Sequence, residues 1–366
     1  MRSKVLLIVL SSFILQPVWA DSRLETIAEV SQAPGNITVT PEGKIIISLH
    51  QFFSPSMSVA IVQTDGSLKA FPNAMAEKRA DLKGQQGISL DSVLGLQSDS
   101  KGIVWMLDNG INSSVTPKLV AWDSRNEQLH KVIYLPAPAS VEGSFLNDLA
   151  IDEKHQKIYL ADPAKGSNAA IIVVDIATGS ARRVLQGHIS VIPEDLELLI
   201  DGKPLSVKRP DGTVVQPKVG INPIALDKDA RWLYFGPMTG SSMYRVQTRD
   251  LLDPYFSPAA LAARVERYSD KPISDGISID KDNNIYITDV ANSAIGIIDS
   301  QRKYSILIKD PRLSWPDAFS YGPDGYLYTV ANQLHKSAIL NGGNMQAKPP
   351  FLVMRFKPLA AGVVGR

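Results

Sequence analysis

The chain has 366 residues, 44% of them hydrophobic, and sets 38 Lys and Arg against 37 Asp and Glu. That balance, with no long run of either sign, excludes the basic footprint of a nucleic-acid binder. There is no cysteine, which excludes thiolate metal sites, Cys nucleophiles and redox dithiols.

Arg2 and Lys4 precede an apolar run from Val5 to Leu15, and Val18-Trp19-Ala20 places small residues before Asp21. This reads as a secretory signal over residues 1–20. Gln16-Pro17 ends the run well short of the about 20 apolar residues that a spanning helix needs. The expected location is therefore extracytoplasmic, periplasmic or secreted. Residues 21–366 are expected to form one domain, since closed β architectures often run long.

The mature region reads as a series of short strands. Gly276 to Ile279, an Asp/Asn turn, Ile285 to Asp289, Ala294 to Asp299 and Lys303 to Ile308 make four strands in sequence, the content of one propeller blade. The first pair recurs. Asn147 leads Leu149-Ala150-Ile151 and Lys157 to Asp162, Asn222 leads Ile224-Ala225-Leu226 and Trp232 to Gly236, and Asp317 leads Ala318 to Tyr321 and Tyr326 to Thr329. Weaker copies begin at Gly35 and Leu94, so with Asp275 there are six anchors. The fold class is all-β, a six-bladed β-propeller. The last blade lacks an outer strand, and Leu24 to Ser31 is expected to complete it, closing the ring with an N-terminal strand and removing an edge.

The longest interval between anchors holds an insertion near 187–218, with Asp201-Gly202 and Asp211-Gly212 as hairpin turns. Such an insertion is expected to lie over one face of the ring. Ala74 to Asp91 reads as a polar connection, and Asp250 to Ala263 as a short helix with a proline-containing turn.

Asn147, Asn222, Asp275 and Asp317 are expected to converge on one rim of the channel. Carboxylate and amide oxygens suit a hard divalent cation, Ca²⁺ first. Taken singly, each such residue more often satisfies backbone groups at a strand entry; four of six anchors sharing this chemistry point to a site. Asp148 adds a second carboxylate beside Asn147 and is a candidate general base. The candidate catalytic residues are thus Asp148, Asp275 and Asp317. Asn36, Asn147, Asn222, His50 and Asn332 are candidate ligand-binding residues, and Asn222 and Asp275 the candidate metal ligands. His50 and His335 leave second strands of the blades that meet at closure. The histidines form no H-x-H or H-E-x-x-H spacing, and no G-x-S-x-G elbow, P-loop or G-x-G-x-x-G motif occurs. Trp232, Tyr234 and Phe235 read as inter-blade core.

Several stretches, in order, resemble the major royal jelly protein/yellow family: Pro34-Gly35-Asn36-Ile37 with Ser48-Leu49-His50, Ser293-Ala294-Ile295-Gly296, Trp315-Pro316-Asp317, Asp324-Gly325-Tyr326-Leu327 and Ala331-Asn332-Gln333-Leu334. The resemblance implies a secreted six-bladed propeller binding small molecules in its channel. Some members bind biogenic amines, others are linked to dopachrome conversion, and bacterial members are often labelled L-dopachrome tautomerase-related. More distantly the ring is similar to the senescence marker/gluconolactonase family, a metal-dependent lactonase family. That likeness implies a substrate-side pair at Asn147-Asp148 and metal ligands at Asn222 and Asp275, while its metal-binding Glu falls on Gly35, which has no side chain to ligate. The expected function is an exported, monomeric small-molecule binder, with tautomerase-like isomerase activity on catechol or amine derivatives. The alternatives are a divalent-metal-dependent sugar lactonase and a non-catalytic binding or scaffold protein. No nucleic acid is an expected partner, and no membrane after signal cleavage.

Overall fold

Runs such as Ile45-Ile46-Ile47 and Val104-Trp105-Met106-Leu107 are apolar on both faces, the pattern of strands buried on both sides. The computed structural model describes residues 20–72 and 89–366. The signal expected over residues 1–20, but for Ala20, and most of the Ala74–Asp91 connection lie outside the described residues.

Strand β1 (Glu25–Val30) comes first. Blade one is β2 (Pro34–Val39), β3 (Ile45–Leu49), β4 (Val59–Val62) and β5 (Leu68–Ala70). Blade two is β6 (Val93–Ser98), β7 (Ile103–Asp108), β8 (Lys118–Asp123) and β9 (Gln128–Tyr134). Blade three is β10 (Asp148–Asp152), β11 (Lys157–Asp162), β12 (Ala170–Asp175) and β13 (Ala181–Val184). The insertion forms two small hairpins, β14 (Leu199–Ile200) with β15 (Lys203–Pro204) and β16 (Val207–Lys208) with β17 (Val214–Val215). Blade four is β18 (Ile221–Leu226), β19 (Trp232–Pro237), β20 (Ser242–Gln247) and β21 (Glu266–Asp270), with α1 (Thr248–Leu252) and α2 (Pro258–Ala262) between its last two strands. Blade five is β22 (Ser274–Ile279), β23 (Ile285–Asp289), β24 (Ala294–Ile298) and β25 (Tyr304–Lys309). Blade six is β26 (Pro316–Tyr321), β27 (Leu327–Ala331) and β28 (Phe351–Phe356), with β1 paired antiparallel outside β28. The six four-stranded sheets make a six-bladed propeller, closed by the N-terminal strand.

Each innermost strand packs on the next, in the closed order β2, β6, β10, β18, β22, β26. The core lies in the seams between blades. Ala150, Tyr159 and Ile171 of blade three, for example, pack on Ile224, Leu233 and Phe235 of blade four. Phe235 and Tyr234 are core, while Trp232 borders it with the Arg245 guanidinium 3.9 Å above its ring. Among the described residues no helix is long and apolar enough to cross a membrane.

The insertion covers one end of the channel. Leu198, Ile200 and Leu205 pack with Met238, Trp315 and Leu334. Ser206 forms an isolated parallel bridge with Asn341 of the loop after β27, and Asp201 pairs with His335 at 3.3 Å. The opposite end is sealed by residues 359–366. The Gly365 carbonyl accepts from Thr38 Oγ1 at 3.1 Å, and Tyr321 N donates to the Arg366 carbonyl at 2.9 Å. Arg366 in turn donates to the carbonyls of Asp227 and Ile151.

Candidate functional site

In five blades the pairing of the inner strand shifts register at the anchor: between Pro34 and Asn36, Val93 and Leu96, Ile221 and Ile224, Ser274 and Ile277, and Pro316 and Phe319. In blade three the anchor Asn147 stands just before β10. A bulge leaves a residue unpaired and re-aims its side chain. Here the bulges turn Gly35, Leu94, Asn222, Asp275 and Asp317 into one cavity of about 470 Å³, which Asn147 joins from its place just before β10. Close packing of the inner strands permits little bulk after the anchor: a Cβ on Gly276 would stand 2.3 Å from the Asp317 carbonyl.

The anchors form the floor of this upper cavity. Asp275 Oδ2 accepts from Trp315 Nε1 at 2.7 Å, and its Oδ1 accepts from Asn222 Nδ2. Asn147 Nδ2 donates to Asn222 Oδ1, so blades three, four and five are joined amide to amide to carboxylate. Asp317 Oδ2 accepts from Asn332 Nδ2 at 2.6 Å. The walls are apolar, from Phe52, Phe145, Leu198, Leu205, Met238 and Leu340. Asp162, at the end of β11, holds the blade-three wall in place: it accepts from Ser144 Oγ at 2.7 Å and Phe145 N at 2.9 Å, with Arg183 Nη1 at 2.7 Å.

Both floor carboxylates are pushed toward the protonated form. Burial raises Asp275 to about 6, against the hydrogen bonds from Trp315 and Asn222. Asp317 is raised well above the usual carboxylate range, by burial first and then by the nearby charges of Asp275 and Asp148. An ionised carboxyl held away from water needs a counter-charge, and none of the basic side chains pairs with either floor aspartate among the described residues.

Two expected residues face elsewhere. Asp148 and Asn36 line a separate lower part of the channel, with a volume of about 30 Å³, together with Arg366. Asp148 is paired with Ala161 and Asn36 with Ser48, so strand alternation turns their side chains away from the neighbouring anchors. The expected second carboxylate at the upper rim is therefore corrected to a carboxylate below it. Asn36 Nδ2 donates to Asp148 Oδ1 at 3.3 Å, and burial raises Asp148 to about 7, helped by the charge of Asp275.

His50 does line the upper cavity. Its Nδ1 accepts from Phe52 N at 3.2 Å, and burial drives the ring down to about 3, so it is neutral at physiological pH. Asn332 is a correction: it is fully buried beneath the cavity, donating to the Pro34 carbonyl at 3.0 Å as well as to Asp317. It holds Asp317 and the seam between blades six and one. His335 stacks on Trp315, with ring centroids 6.0 Å apart. Trp315 is the floor residue that reading the anchors missed, because it lies two positions before one in sequence and reaches the floor only through the turn into β26.

The expected metal pair, Asn222 and Asp275, offers one carboxylate that already accepts two N–H donors. Blade one adds Gly35, where even a Cβ would stand 3.1 Å from Ser48 Oγ. Among the described residues no three of His, Cys, Asp or Glu group closely enough to hold a metal. A cation of the calcium type takes roughly six to eight oxygens, several of them anionic, and this donor set does not fit one.

A family model described as "Major royal jelly protein" matches residues 91–352. Major royal jelly protein 3 of Apis mellifera is 22% identical over 246 residues, covering 64% of this chain and 42% of that protein. The chain thus spans less than half the length of that relative. Among solved structures, a gluconolactonase from Xanthomonas campestris is similar with a TM-score of 0.54 at 13% identity, covering 92% of this chain and 89% of that chain. A calcium-binding regucalcin from Agrobacterium tumefaciens has a TM-score of 0.55 at 13% identity, covering 95% and 97%. At such identities these likenesses concern the fold alone.

Proposed function

Because the chain belongs to the major royal jelly protein family, we propose that it is an exported, monomeric propeller that binds a small, positively charged aromatic molecule in its upper cavity. The observation that carries this reading is an apolar-walled cavity with two buried carboxylates, Asp275 and Asp317, on its floor. A cation entering such a space loses its water, and carboxylates already held away from water offset that loss through charge-assisted hydrogen bonds. Phe52, Phe145 and Trp315 supply aromatic surface for a ring.

Calorimetry with phenethylamine and with 2-phenylethanol, which shares its shape but carries no charge, tests the reading. The amine is expected to bind and the alcohol to bind far more weakly. Asp317→Asn should weaken the amine at least about tenfold, the size of one lost charge-assisted bond. Equal binding of amine and alcohol would refute it.

The raised proton affinities of Asp275 and Asp317 favour a second, finer reading: tautomerase-like turnover of a dopachrome-type catechol derivative. One carboxylate would take the proton leaving a ring carbon while the other returns one to oxygen, with no net change of atoms. Asp275→Asn and Asp317→Asn should each lower turnover by about a hundredfold or more; full turnover in both would remove this reading. Export rests on the signal pattern before Asp21, and the expected N-terminus of protein recovered outside the cytoplasm is Asp21.

A further inference from the structure

Charge is unevenly placed around the upper cavity. Five ionisable side chains line it among the described residues: His50, Lys165, Lys218, Asp275 and Asp317. Asp275 and Asp317 are buried on the floor, and His50 is buried and neutral. The two lysines stand at the exposed mouth. Lys218 is matched by Asp195.

Lys165 differs from Lys218. Its stem runs along Gly143, where the missing side chain leaves Lys165 Cβ, Cγ and Cδ only 3.7–3.8 Å from where a Cβ would be. That contact lays the stem against the cavity wall. No hydrogen bond or ion pair engages its ammonium among the described residues. The cavity therefore has two carboxyl groups at its base that a cation would hold ionised, an apolar waist and a free ammonium at its mouth.

We propose that the ligand of the upper cavity is amphoteric, with a cationic group at one end of an aromatic body for Asp275 and Asp317, and a carboxylate at the opposite end for Lys165. This rests on the reading of the cavity as a site for a positively charged aromatic molecule and adds the nature of its far end. The charges must be separated by the length of the ring. An α-amino acid does not meet that requirement, because its carboxylate lies one carbon from its ammonium and would be pressed against the two aspartates, where like charges repel.

The test is calorimetry on the mature protein with phenethylamine, 4-(2-aminoethyl)benzoic acid and phenylalanine, repeated on Lys165→Met and Lys165→Arg. The expected order of affinity is the benzoic acid derivative, then phenethylamine, then phenylalanine. The first gap should be about fivefold, the worth of a partly exposed ion pair. Lys165→Met should bring that ratio to about one, and Lys165→Arg should retain it. A ratio of one in the unsubstituted protein, a ratio that survives Lys165→Met, or phenylalanine binding as tightly as phenethylamine would each overturn the proposal. Binding of none of the three would overturn the cation-site reading itself, and this proposal with it.

Discussion

Asp148 illustrates how one position decides between two environments. It follows Asn147 directly, yet it is the first paired residue of β10 and points into the narrow lower channel. Its partners there are Leu149 N at 2.8 Å and Asn36 Nδ2 at 3.3 Å, both on Oδ1. Burial raises its carboxyl to about 7, above the usual aspartate value of 3.8, so the folded state binds a proton that the unfolded chain has already lost between these values. Stability attributable to this group is thus full below about pH 4 and is lost as pH rises toward 7. Asp148→Asn keeps an oxygen for both donors and removes the charge. Thermal melts should show it more stable than the unsubstituted protein at pH 8, by on the order of 2–4 kcal/mol, and nearly level at pH 4. A variant that loses stability equally at both pH values would contradict this. The anchor chemistry was legible in the residues, since Asn and Asp recur at strand entries. Which of two adjacent polar residues meets the upper cavity was not, because that depends on where the register shifts.

At the scale of elements, β1 is tied to the ring by pairing with β28 from Glu25↔Arg355 to Val30↔Phe351. Arg312 donates to the Asp21 and Leu24 carbonyls, fixing the chain just before it. Val30 is buried with Val330, Phe351 and Val353. Deleting residues 21–30 would uncover the edge of β28 and the apolar seam beneath it, and an unpaired edge recruits other chains. Light scattering is expected to show greater association of the truncated chain than of the chain that keeps residues 21–30 at the same concentration; equal scattering by the two would contradict the role of β1 as the closing strand. The missing outer strand of blade six made this closure legible. The hairpins of the insertion were legible too, from Asp-Gly turns in which Gly202 and Gly212 have φ of 72° and 86°. Their docking partners were not. Ser206 meets Asn341 and Asp201 meets His335 across long sequence separations that no local pattern encodes.

On the scale of the whole molecule, residues 359–366 act as a common fastening. They touch every blade: Thr38 of blade one, Ser98 of blade two, Ile151 of three, Asp227 of four, Ser278 of five and Tyr321 of six. At Gly365, with φ of 89°, a Cβ would meet the Ser98 carbonyl at 2.2 Å, so the backbone itself fills the space at the axis. Deleting residues 359–366 should lower the urea midpoint, with each lost hydrogen bond worth about 1 kcal/mol. An unchanged midpoint would show that the blades hold without it.

Blade number, ring closure and the chemistry of the anchors followed from the sequence alone, because each is written locally, in period-two runs, turn residues and a repeat. The convergence of Asn147, Asn222, Asp275 and Asp317 was also expected from the repeat, whereas the tertiary structure alone decided that Asp148 and Asn36 line a separate cavity, that Asn332 supports Asp317 from beneath, and that Trp315 and Lys165 line the same cavity as the anchors. The physical reason is that a channel is assembled from one residue per blade, and bulges and cross-ring packing, rather than neighbours in the chain, set where each side chain points.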